Sequence, residues 1–174
     1  MKILVAIDQS GSWPQIINAI SRRKYPQGTQ FELLSVLEPL PFTWELQTSD
    51  NWNKLASQVM HERKLAAESM LTAATERLRK VFPDCIVHVA VPTGHARDEI
   101  IKAAIGWMPN KLVLGAHGGS QNRLISGSLP HNIARVAACS VELVRLIEPT
   151  TELVELETEP MPVKADLHEH AVRS

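Results

Sequence analysis

Gly115-Ala116-His117-Gly118, followed after a polar gap by Gly127-Ser128, are the residues of this chain best suited to hold an anion. Glycines let the backbone approach closely, and the start of a helix offers unpaired N–H groups and the positive end of the helix dipole. The chemistry is phosphate binding rather than bond making. Ser128 adds a hydroxyl where the helix begins near Leu129, and Arg123, the one cation in the gap, can neutralise a terminal phosphate. His117 can hydrogen-bond a phosphate or a neighbouring loop. Each residue also has a plainer role: glycines in a turn that needs positive φ, Ser128 as an N-cap, His117 as a satisfied structural histidine, Arg123 as a solvated tip. Both roles stay open at this point.

The residues that would make a catalyst are not arranged as one. No lysine stands in a Gly-Lys-Ser/Thr sequence. No Ser/His/Asp trio suggests a nucleophile, and no carboxylate pair is placed for acid–base work. The expectation is a protein that is not an enzyme, with no catalytic residue and no metal site of its own. His168-Glu169-His170 looks like a metal pair but reads as a solvated tail.

The elements that must position these residues follow from hydrophobic spacing. Lys2 to Ile7 is a near-continuous apolar run ended by Asp8, too short for a signal peptide and suited to a strand buried on both faces. Ser12 as cap and Pro14 in the first turn open a helix over 13–23, with Trp13, Ile16, Ile17 and Ile20 on one side. Pro26-Gln27-Gly28 stops it, and a strand follows over 30–37. A loop over 38–50 carries Phe42 and Trp44. The spacing then predicts a helix from about Asn51 to Phe82, where Glu62-Arg63 breaks the apolar stripe and suggests a kink or two pieces. A third strand over 86–91, a helix bearing Ile100, Ile101, Ala104 and Ile105, a fourth strand over 111–114, a helix over 129–138 and a strand over 140–146 complete the pattern. Alternation of single strands and helices predicts an α/β fold with a mostly parallel sheet of five strands and four helices. Ligands in such sheets bind at the carboxyl ends of the strands, where Asp8, Val36, Thr93 and Gly115 fall.

Composition bounds the rest. The chain has 174 residues, 44% hydrophobic and 21% charged, which suits one domain with its own core. No apolar run reaches the length of a membrane span, so no membrane association is expected. Cys85 and Cys139 lack metal spacing and read as small core residues of a cytoplasmic protein. From Pro149 onward six acids face two bases, a net −4, leaving the body at +3, too weak to suggest nucleic-acid binding. Residues 148–174, with Pro149, Pro160 and Pro162 and little period, read as an acidic, flexible tail after a domain of 1–147.

Specific stretches resemble the universal stress protein family over roughly residues 1–147. They are Ile3 to Ser10, Leu34-Ser35-Val36, Thr93-Gly94 with Glu99-Ile100-Ile101, and above all Leu112 to Gly118, Gly127-Ser128 and Ile133 to Val141. The resemblance implies a Rossmann-like open parallel sheet of order 3-2-1-4-5 with helices on both faces. It implies an adenine-nucleotide site in which Ala6, Ile7 and Val36 line the adenine slot and Val36 offers backbone groups to the base edge. Asp8 would take a ribose hydroxyl or the adenine amine. Gly115, Gly118, Gly127 and Ser128 would wrap the phosphates of ATP, with His117, Arg123 and Leu129 beside them and Mg²⁺ held mainly by the phosphates. It further implies a homodimer through the last strand, Val141 to Leu146, whose unpaired edge gains by pairing. The family's nucleotide binders carry Gly-x2-Gly-x9-Gly-Ser/Thr, whereas Gly119 to Ser126 is eight residues, one short. Two functions therefore stand side by side. One is a cytoplasmic stress-response sensor that binds ATP as a dimer. The other is a stress protein without a nucleotide, acting on an unknown protein partner through the 38–50 loop, the long helix or the tail.

Overall fold

The computed structural model describes residues 1–40, 50–117 and 128–146. Expectations that fall on 41–49, 118–127 and 147–174, including the acidic tail and the His168-Glu169-His170 pair, lie outside the described residues. The chain alternates β1 (Lys2–Ala6), α1 (Trp13–Ser21), β2 (Gln30–Leu34), α2 (Asp50–Val81), β3 (Ile86–Ala90), α3 (Ala96–Trp107), β4 (Lys111–His117), α4 (Ser128–Val136) and β5 (Ser140–Leu146). The strands form one sheet of order β3-β2-β1-β4-β5. Every pairing is parallel. This is the expected fold, strand order included.

The period-2 alternation of the central strands explains the two-sided core. Ile3, Val5, Phe31, Leu33 and Val113 face α1 and α2, where they meet Ile16, Ile17, Ile20, Leu71, Ala74 and Leu78. Leu4, Leu34, Leu112 and Leu114 point the other way, to Ile100 of α3 and Ile133 of α4. Both faces of β1 are thus sealed, which is why its sequence is apolar without alternation. Tyr25, Phe31 and Phe82 close one end of the first core as an aromatic trio with centroids 5.5–5.8 Å apart.

The structure differs from the sequence reading in several places, and β2 stops at Leu34 rather than running to Leu37. The long helix is one piece of 32 residues, without a break at Glu62-Arg63. β4 runs on to His117, paired with Leu146, rather than stopping at Leu114. It does so because β5 is long enough to continue the ladder past the end of β1. Ser12 occupies the N-cap position but makes no side-chain cap bond there, its backbone being near-helical at φ −84° and ψ −7°. Gly28 does turn the chain as expected, at φ +70°. Asn110 ties the two central strands at their start: its Oδ1 accepts from Lys2 N at 2.7 Å and its own N–H donates to Lys2 O at 2.9 Å.

Cys85 and Cys139 are both half-buried against the cores. Burial pushes each thiol up, away from the reactive thiolate. Among the described residues, no helix is long and apolar enough to cross a membrane.

Candidate functional site

β1 and β4 are neighbours, paired from Ile3↔Lys111 to Ala6↔Leu114. Their connections leave on opposite faces: α1 packs with the first core and α4 with the second. Adjacent parallel strands whose crossovers diverge leave a crevice at their carboxyl ends, the place where open α/β sheets take ligands. Topology, not any single side chain, therefore fixes where the site lies.

On the α3–α4 side of this crevice the structure brings together Ala6, Val36 and Leu129, all half-buried against the second core. Ile7 does not join them. It is buried at 4% exposure in the other core, on the α1–α2 side. A strand alternates its side chains, so Ala6 and Ile7 cannot line one slot together. Ile7 contributes backbone instead, its N–H donating to Leu34 O at 2.9 Å as the last bond between β1 and β2. Beyond it the strands part. Ser35 N–H donates to Ala90 O at 3.1 Å and Leu37 N–H to Pro92 O at 2.9 Å, both toward β3. Among the described residues, the N–H and C=O of Val36 between them make no backbone hydrogen bond. An open donor and acceptor of one residue, beside small and aliphatic side chains, form an edge for a flat polar ring to match.

Asp8 follows Ile7 and is exposed, not the buried carboxylate that its place after an apolar strand suggests. The strand ends at Ala6, so Asp8 already lies outside the layers. Its Oδ1 accepts from Ser10 N at 3.2 Å and from Ser10 Oγ at 2.5 Å. That is an Asx turn, and it holds the carboxylate at the crevice mouth.

Gly115 has a reason of its own. It sits within β4, not in a loop, and a Cβ there would lie 2.9 Å from Leu146 Cδ1 and 3.0 Å from Ile16 Cδ1. The absent side chain lets α1 and β5 close over β4, and no positive φ is involved. The backbone of His117 belongs to β4 and that of Ser128 opens α4. Gly118, Arg123 and Gly127 lie outside the described residues.

Three residues at this edge were not legible in the sequence: Gln9, Glu38 and Arg63. Gln9 Nε2 donates to Arg63 O at 2.7 Å, and Arg63 Nη1 donates to Glu38 O at 2.9 Å. Glu38 Oε1 in turn accepts from Ala96 N at 3.2 Å, at the first turn of α3, where N–H groups lack helical partners. The only sequence sign was the break in the α2 stripe at Glu62-Arg63. It marks a polar side chain that reaches the sheet edge.

Comparison with known proteins agrees with this architecture. A family model described as the universal stress protein family matches residues 1–145. No curated protein matches the chain by sequence. A universal stress protein from Lactobacillus plantarum superposes with a TM-score of 0.63 at 17% identity, over 83% of this chain and 97% of that one. A family protein from Arabidopsis thaliana, solved with AMP bound, gives 0.55 at 16% identity over 84% and 92%. A universal stress protein in complex with cAMP gives 0.55 at 15% identity over 84% and 98%. At such identities the likeness establishes the shared fold.

Proposed function

Since this chain belongs to the universal stress protein family, we propose that it binds an adenine nucleotide at the carboxyl edge of β1 and β4. The observation that carries the reading is the open backbone edge of Val36 beside Ala6 and Leu129. It fits the donor–acceptor edge of adenine, and structural neighbours of this fold were solved with AMP and with cAMP. In this reading the aliphatic side chains exclude water from one face of the base. The exposed carboxylate of Asp8, held by Ser10, accepts from a ribose hydroxyl. The phosphates would run toward the start of α4, whose N–H groups and dipole favour negative charge. ATP is the nucleotide we favour, with Mg²⁺ carried by its phosphates. The protein would act as a cytoplasmic stress-response sensor rather than an enzyme: it would sequester the nucleotide and report its presence through a homodimer.

The second reading, a protein that works by contact and holds no nucleotide, draws on Gly115. Packing alone accounts for that glycine, and the gap between Gly118 and Gly127 is one residue short of the family's spacing. Calorimetry of the purified protein with Mg-ATP, AMP and cAMP separates the two. The nucleotide reading expects saturable heat for at least one of them. It also expects Asp8→Ala to weaken binding about tenfold or more, the loss of one hydrogen bond to a charged group, and Gly127→Val to abolish it. No heat at millimolar nucleotide would leave the contact reading standing.

A further inference from the structure

α2 packs differently along its two halves. From Ala67 onward it packs on the sheet through Ala67, Leu71, Ala74 and Leu78. Among the described residues of its first half none is fully buried, and Leu55 and Leu65 are each 52% exposed. An open apolar cleft of about 290 Å³ separates this half from the exits of β2 and β3, with Trp52, Ala56 and Met60 on one wall and Pro39, Leu40 and Thr93 on the other. Among the described residues, the first half is thus the less buried part of the helix. What fastens it at the transition is Arg63.

Arg63 is gripped twice. Its carbonyl oxygen accepts from Gln9 Nε2 at 2.7 Å, and its guanidinium donates to Glu38 O at 2.9 Å. Gln9 is the neighbour of Asp8, and Glu38 is two residues past Val36. Both grips thus spring from the two chain segments assigned above to the nucleotide. Glu38 carries the link onward, its carboxylate accepting from Ala96 N at 3.2 Å. We propose that Arg63 is a positioning residue that couples occupancy of the edge site to the first half of α2. The coupling rests on the nucleotide reading. A ligand bridging Asp8 and Val36 fixes the spacing of Gln9 and Glu38 and so tightens their hold on Arg63. The helix N-terminal to it then loses motion, and the wall of the apolar cleft becomes firmer. Linkage runs both ways, so loosening Arg63 must also weaken the ligand.

The test is amide hydrogen exchange over residues 54–62, with and without saturating Mg-ATP, alongside calorimetry on the full chain. In the wild type nucleotide should slow exchange there about tenfold, within the ordinary range of coupling. Arg63→Ala loses the guanidinium bond to Glu38 O but keeps the backbone acceptor for Gln9, so it should bind several-fold more weakly, melt cooperatively and show protection of 54–62 reduced several-fold at saturation, and adding Gln9→Ala should abolish the protection. Arg63→Lys keeps a donor for Glu38 O and should restore part of the protection, which a merely structural role would not distinguish. Binding by the wild type with unchanged exchange in 54–62 overturns the coupling and leaves the nucleotide reading intact. Full protection in Arg63→Ala overturns the assignment to Arg63. Absence of any binding by the wild type overturns both, and calorimetry alone reveals it.

Discussion

At the scale of single residues, chemistry and packing compete for the same positions. Gly115 is the sharpest instance. In a strand-to-loop reading a glycine here suggests anion contact, whereas the structure has two buried methyl groups closing on its Cα. Gly115→Ala should therefore lower stability by about 1–3 kcal/mol through overpacking, read as a lower urea midpoint at unchanged slope. Glu32 is a second case. Its Oε2 has no accessible surface and no hydrogen-bond partner in the described structure. Burial pushes its carboxyl up, while the charges of His88 and Lys2 draw it part of the way back. A carboxyl with a higher pKa folded than unfolded binds its proton more tightly in the native state. Stability then falls as pH rises from the ordinary glutamate value through the raised one. Glu32→Gln should melt higher than the wild type near pH 7, and the gain should shrink as pH falls and vanish below about pH 3, where glutamate is protonated in both states. Residue identities announced neither effect. Which face Glu32 takes, and what lies over Gly115, depend on partners about 30–56 and about 30–100 positions away.

At the scale of elements, the sequence spoke more clearly. Strands buried on both faces are apolar runs, and α1 declares itself through Ile16, Ile17 and Ile20. The strand order came from resemblance to a family, because hydrophobic spacing says that strands are parallel but not which are neighbours. α2 has the expected bounds to within a residue, whereas two readings failed for tertiary reasons: β4 is longer because β5 prolongs it, and α2 is one piece whose stripe yields at Arg63 to a hydrogen bond with Glu38. Alternation also separates Ala6 from Ile7, which the resemblance had placed in one slot. β5 carries the element-scale prediction. It is an edge strand with Leu143 49% exposed, beside α4 where Val136 is 52% exposed. Glu142 on its inner side is held by Arg23 and, at 2.9 Å, by Lys111, which steadies the edge from within. A homodimer across β5 would cover Leu143. Leu143→Arg should convert it to monomer in sedimentation velocity without lowering the helix content, and an unchanged mass would move the interface elsewhere.

At the scale of the whole molecule, the two helical layers lie on opposite faces of one sheet, and among the described residues polar ties join them at its carboxyl edge. A ligand seated there stabilises the native state as a unit. At about one hundred times its dissociation constant a nucleotide contributes about 2.7 kcal/mol, a rise in Tm of roughly 5–10 °C for a domain of this size. Differential scanning fluorimetry with a nucleotide series would rank adenine against guanine and one phosphate against three, and a flat series would speak for the contact reading.

The pairing of β1 with β4 also governs how the chain is made. Leu4 meets Leu112 in the finished sheet, so β1 leaves the ribosome more than a hundred residues ahead of its second neighbour. At about 5–20 residues per second that interval is roughly 5–20 s. Throughout it β1, apolar on both faces, can pair with β2 but keeps one open edge. The newborn protein is most vulnerable to aggregation at its central strand, and slowing translation before Lys111 would lengthen that exposure.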